Sequence, residues 1–153
     1  MATYKRKFIC KSGFIQCMDP CYDNDSSLCD KLKALCGVWE VKINVNKEGR
    51  VTSLVAIHES AKNVKFNDDD WFHCGVDAGL FGFFDNKPDY TENEWNDILN
   101  SEILNSNFGV ATEDNVFKCN GVWSSTGYGD GLYPLYYLEN SDKAAYALKI
   151  KYI

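Results

Sequence analysis

Three aspartates stand where a carboxylate is not a default residue. Asp19 precedes Pro20, Asp77 sits inside an apolar run before Ala78-Gly79, and Asp130 lies between Gly129 and Gly131. Strands and their ends are depleted in Asp, so each position asks for a reason. One reading gathers the three on one side of a sheet, as hard oxygen ligands for a divalent cation or as an acid/base set. The other has each side chain accept backbone N–H bonds within its own turn. Tyrosines accompany them: Tyr22 follows Asp19, and Tyr128 and Tyr133 flank Asp130. Such rings either stack a planar ligand or pack a core. The candidate ligand-binding set is Asp19, Tyr22, Asp77, Tyr128, Asp130 and Tyr133, with Asp19, Asp77 and Asp130 as the candidate metal ligands.

Other chemistry is poorly served. The acidic run Asp23-Asn24-Asp25-Ser26-Ser27 fails as an EF-hand, because its sixth position is Leu28 rather than Gly and its twelfth is Ala34 rather than Glu. Five of the seven cysteines (Cys10, Cys17, Cys21, Cys29, Cys36) fall early in the chain, without the paired short spacings of a zinc site. The chain has two histidines, His58 and His73, and Cys74 beside His73 points to the opposite face of a strand. Gly127-Tyr128-Gly129-Asp130-Gly131 is as glycine-rich as a phosphate loop, but no Lys follows and no helix starts there. No nucleophile elbow, dinucleotide fingerprint or zincin motif occurs. These absences lean away from an enzyme.

The elements that must position these residues read mostly as strands. Residues 6–18 form two short strands around Ser12-Gly13, the second being Phe14–Met18. Trp39, Val41, Ile43 and Val45 alternate with polar residues, Lys47-Glu48-Gly49 turns the chain, and 51–58 returns as a hairpin partner. Residues 71–84 are β-like, 116–124 and 132–138 read as strands, and Pro134 marks an edge or a bulge. In the last strand Tyr146, Leu148, Ile150 and Tyr152 alternate inward. Leu28, Leu32 and Leu35 before Gly37 predict a helix over 27–36. Thr91 and Glu94 form a capping box that opens a second helix over 92–104. The expected fold is α+β, mainly antiparallel β, a sandwich or open barrel of seven to eight strands with two short helices, in one domain over 1–153.

At 153 residues the chain suits one core, and 45% hydrophobic with 25% charged residues fits a globular protein. The net charge of −6 is uneven: residues 66–106 hold ten acids against Lys87, which leaves +3 on the remainder. The acidic segment repels phosphate backbones and argues against duplex nucleic acid as a partner. No apolar run approaches the ~18 residues of a membrane span, and the basic N-terminus lacks the apolar region of a signal peptide. An odd number of cysteines fits a reducing compartment, so a cytoplasmic location is expected.

Ser12-Gly13, Asp19-Pro20-Cys21-Tyr22, Val76-Asp77-Ala78-Gly79 and Gly127 through Tyr136 together resemble a group of small bacterial and phage proteins of unknown function. That group carries an SG…DPCY opening, a VD(S/A)G middle and an SGYGDGxYPVY ending. Leu80 departs from it, since a polar residue often follows the Gly there. The resemblance spans most of the chain and implies that Asp19, Asp77 and Asp130 form one site, without implying a reaction. Three functions are then open. One is a module binding a small ligand, for instance a nucleotide-type molecule in a phage setting, with or without a divalent cation. Another is a metal-dependent hydrolase built on the aspartates. The third is an acidic module that engages or inhibits a basic protein partner.

Overall fold

A computed structural model describes residues 1–153. Eleven strands follow one another as β1 (Ala2–Cys10), β2 (Phe14–Met18), β3 (Asp30–Lys33), β4 (Gly37–Val45), β5 (Val51–His58), β6 (Trp71–Val76), β7 (Leu80–Asp85), β8 (Phe108–Ala111), β9 (Asn120–Ser125), β10 (Gly131–Glu139) and β11 (Ala145–Lys151). Between β7 and β8 lie helix α1 (Glu92–Leu99) and a 3-10 turn (Glu102–Asn105). The strands form two antiparallel sheets, one ordered β1-β4-β5-β11-β10-β6 and the other β3-β2-β7-β9-β8. The architecture is therefore a two-sheet sandwich rather than a closed barrel.

The hairpin expected from alternation is present, with Trp39 opposite His58 and Ile43 opposite Leu54, closed by Gly49 at φ +81°. Its inward residues Trp39, Val41, Ile43, Leu54 and Ala56 are fully buried between the sheets, where they join Phe81, Phe83, Val122, Leu148 and Ile150. A second apolar cluster lies on the far side of the five-stranded sheet. There Phe84, Phe117 and Trp123 stack under Ile98 of α1. Gly82, Gly109 and Gly121 leave room for these rings: a Cβ on any of them would come within 3 Å of Phe84 or Trp123.

Four chain segments cross from one sheet to the other. The β1→β2 and β3→β4 crossovers lie at one end of the sandwich, and β6→β7 and β9→β10 lie at the opposite end. The motif residues Ser12-Gly13, Asp77-Ala78-Gly79 and Gly127–Asp130 occupy three of these four crossovers.

Several expectations change. Residues 27–36 do not form a helix: β3 pairs with β2 over Asp30–Lys33, with Leu32 packed on the core and Ala34 buried. The leucine spacing that suggests a helix overlaps a period-2 pattern at 30, 32 and 34, and the open edge of β2 decides for the strand. The Ser26 hydroxyl accepts from the Leu28 amide in a local turn rather than capping a helix.

The second helix starts at its capping box, with Thr91 as N-cap and Glu94 reciprocating, but it stops at Leu99. Asn100 and Ser101 break it, and Ser101 caps a separate 3-10 turn. Residues 71–84 divide into β6 and β7 in different sheets. The strand expected over 116–124 occupies Asn120–Ser125, and β8 was not expected at all.

Pro134 sits in an interior strand, though at that residue β10 is paired only with β6, its β11 pairing beginning at Leu135. The strand is locally an edge there, which accommodates the missing N–H. In β11, Leu148 and Ile150 face the core, as does Tyr152 just past its end. A register shift at Leu138/Glu139 changes the phase before them and puts Ala145, not Tyr146, in it.

Candidate functional site

Asp19, just past β2, has no solvent exposure. Its Oδ2 accepts the backbone N–H groups of Asp77 (2.9 Å) and Ala78 (2.6 Å), and its Oδ1 accepts that of Cys21 (3.0 Å). One carboxylate thus holds the β6→β7 crossover against the start of the 19–29 loop. Its role is the backbone-accepting one, but the donors come mainly from a distant loop rather than from its own turn. Both of its oxygens are already engaged, which leaves it badly placed as a metal ligand.

The crossover so held turns at Gly79, φ +68°, and its carbonyl accepts the Thr126 N–H (3.0 Å) at the start of the β9→β10 crossover. That second loop is braced from within, where the Tyr133 hydroxyl donates to Gly129 O (2.8 Å). It is braced from outside by Arg50, whose guanidinium donates to Gly127 O (2.6 Å). Gly127 is required here, because at φ +67° a Cβ would lie 2.3 Å from Val51 O. The two crossovers bring Asp130 over Gly79, where a Cβ would be 3.9 Å from Asp130 Oδ1.

Asp77 and Asp130 are both exposed, and neither forms an ion pair. Half-buried Tyr22 stands among them. Its phenol is pushed up to about 12, first by burial, then by the charge of Asp19, by Cys21, and by the charges of Asp77 and Asp130. The neighbouring Cys21 thiol is likewise pushed up to about 12, by burial and then by Asp19 and Asp77. A single phenol therefore senses all three carboxylates, and the structure brings Asp19, Tyr22, Asp77 and Asp130 to one end of the sandwich.

The other two sequence candidates play different parts. Tyr133 packs edge-on against buried Tyr152, with ring centres 5.3 Å apart, and spends its hydroxyl on the loop. Tyr128 is 53% exposed, but Arg50 covers one face of its ring at 4.7 Å. No group of three or more His, Cys, Asp or Glu side chains is arranged to hold a metal ion. All seven cysteines are free thiols, and no helix is long and apolar enough to cross a membrane.

A second buried carboxylate escaped sequence reasoning. Asp85, at the end of β7, accepts the backbone N–H groups of Lys11 and Ser12 (both 3.1 Å) and the Ser12 hydroxyl (2.6 Å). It holds the β1→β2 crossover at the opposite end of the sandwich. The signal available was an acid closing the apolar run Leu80–Phe84, the same signal that marks Asp19 after Phe14–Met18.

A family profile described as "Protein of unknown function (DUF4241)" matches residues 37–150. The match includes Asp77 and Asp130, while Ser12-Gly13 and Asp19–Tyr22 precede it. No curated protein and no solved structure matches the chain. The matched span is most of the chain, which belongs to this family.

Proposed function

We propose that this DUF4241 member is a binding module whose acidic loop end, formed by Asp77, Asp130 and Tyr22, takes a small organic cation such as an amine. The observation that carries the reading is the juxtaposition of two exposed acids on crossovers tied together through Asp19, Gly79 and Thr126, with Asp130 Oδ1 standing over Gly79. Asp77 and Asp130 reach solvent without a cationic partner in the chain, so their charge is available to a ligand. The Tyr22 ring adds an aromatic surface of the kind that ammonium groups favour. Arg50 over Tyr128, in the same loop, is an internal instance of that contact. A nucleotide-type ligand would bring phosphate against two unpaired carboxylates, which disfavours it. A hydrolytic metal would need Asp19, whose oxygens hold backbone.

The test is a thermal-shift titration at low salt with putrescine, calcium and adenosine monophosphate in separate arms. A ligand that binds only the folded state at ~100 times its dissociation constant adds about 2.7 kcal/mol, or roughly 5–10 °C for a domain of this size. Putrescine is expected to raise the midpoint of the wild type but not of the Asp77→Asn/Asp130→Asn double variant. A shift with calcium or the nucleotide alone would replace the reading with a metal or nucleotide site. An equal putrescine shift in the double variant would end it.

A further inference from the structure

A second candidate site lies far from the acidic loops, on the outer face of the six-stranded sheet. Residues of the segment leaving β5 join β1, β4 and β5 in lining an open cavity of about 660 Å³, within the range of small-molecule sites. Lys7, Lys42 and Lys62 line it together with Glu40 and Glu59, and Val38, Ile57 and Val64 supply aliphatic wall. The molecule has three ion pairs, Lys11–Glu113, Arg50–Glu48 and Lys118–Glu94, and none involves these lysines. Glu40 stands directly across the β1/β4 ladder from Lys7, yet no ion pair closes between them.

Register adds cost to this arrangement. Lys5 lies directly opposite Lys42, so two cations share one face at the cavity rim. Like charges in direct cross-strand positions destabilise a sheet unless something neutralises them.

Two polar side chains of this wall, Glu59 and His58, are tied to the backbone. Glu59 Oε2 accepts the Val38 N–H (2.6 Å), and Glu59 N–H donates back to Val38 O (2.9 Å). His58 Nδ1 accepts the Ser60 N–H (3.1 Å), and its Nε2–H donates to Cys36 O (2.7 Å), so both ring nitrogens serve the loop. Gly37 makes this wall possible: at φ +123°, a Cβ there would lie 2.6 Å from Glu59 Oε2 and 2.9 Å from His58 Nε2. Three lysines therefore face the cavity against two carboxylates, Glu40 and Glu59, one oxygen of Glu59 being held by the Val38 N–H, and Lys5 on the same face adds to the cationic excess.

We propose that this cavity binds a small organic polyanion, a molecule carrying two or more phosphate or carboxylate groups. The lysines hold the anionic groups and the aliphatic wall covers the ligand's body. The site is independent of the acidic loop end, and its occupant has the opposite charge.

Isothermal titration at low salt with pyrophosphate and with citrate, in separate arms, distinguishes phosphate from carboxylate as the preferred group. At least one is expected to bind, with affinity falling as salt rises. Lys42→Gln is expected to weaken that binding about tenfold, the size of one lost charge-assisted contact. Lys47→Gln, in the β4–β5 turn, is expected to leave it unchanged. Binding of neither anion, or equal binding by Lys42→Gln, overturns the proposal. Putrescine binding by the Lys42→Gln variant, measured alongside, keeps this outcome separate from the fate of the acidic site.

Discussion

The two ends of the sandwich use one device for different ends. At each, a carboxylate that closes a strand of the five-stranded sheet is buried and accepts consecutive backbone N–H groups of a crossover: Asp85 those of Lys11 and Ser12, Asp19 those of Asp77 and Ala78. A crossover cannot use the ladder of either sheet, and a buried amide without a partner is costly. The carboxylate supplies the missing acceptor. What differs is what the held loop presents. At the Asp85 end Lys11 is matched by Glu113 at 3.0 Å. At the Asp19 end Asp77 and Asp130 are left unmatched around Tyr22. The buried acid is architecture at both ends, and the proposed cation recognition falls to the exposed acids at one of them.

The strongest way to break this comparison is to remove each buried acid. Asp19→Ala removes the acceptor of three donors and Asp85→Ala that of four, two in each case being amides of a crossover. Each unsatisfied group costs about 1–3 kcal/mol, so a loss of roughly 3–5 kcal/mol is expected from chemical denaturation of either variant. If Asp19→Ala proves much milder than Asp85→Ala, Asp19 is held strained for a ligand and the equivalence fails. The milder Asp85→Asn is expected to keep putrescine binding, whereas Asp19→Asn loses it as the 77–79 loop shifts.

Cysteines at the two ends offer a second contrast. Cys36 is exposed near the Asp85 end, while Cys21 is half-buried beside Asp19 with its thiol pushed up to about 12. Only thiolate is alkylated, so burial and the raised thiol of Cys21 protect it. Iodoacetamide at pH 8 is therefore expected to modify exposed Cys36 far faster than Cys21, as read by peptide mass spectrometry. In Asp77→Asn the Cys21 rate should rise. An unchanged rate would mean that burial alone protects it.

How much of this was legible beforehand follows from where each interaction's partner lies in the chain. The 39–58 hairpin and the Thr91 capping box are local, so alternation and short spacing suffice to find them. Asp19, Asp77 and Asp130 could be grouped by their odd settings, but the division of labour among them could not. Asp19 is spent on amides 58 and 59 positions away. Tyr133 looked like a ligand platform because nothing local reveals that its ring meets Tyr152. Residues 28–35 misled because leucine spacing fits a helix, while the deciding partner, β2, lies on the far side of a loop. The lysine cavity was invisible for the same reason, since sheet register brings residues 7 and 42 onto one face and the loop after β5 adds Lys62.

The finest contrast is between stability and titration at the exposed acids themselves. Asp130→Asn removes a charge that holds nothing in the fold, so at pH 7 its stability is expected to stay within about 0.5 kcal/mol of wild type. The alkaline limb should nonetheless move. Tyr22 titrates at about 12 in the folded chain against 10.0 for the free phenol, so between those values the native state binds more protons than the unfolded one. Stability then falls as pH rises from 10 to 12, because the unfolded chain ionises first. Asp130→Asn weakens one cause of the raised value. The Tyr22 transition in ultraviolet difference spectra is therefore expected to move down toward 10, with a shallower loss of stability across that window. A Tyr22 transition that does not move would place Asp130 outside the field at the phenol, and the acidic end would reduce to Asp77 alone.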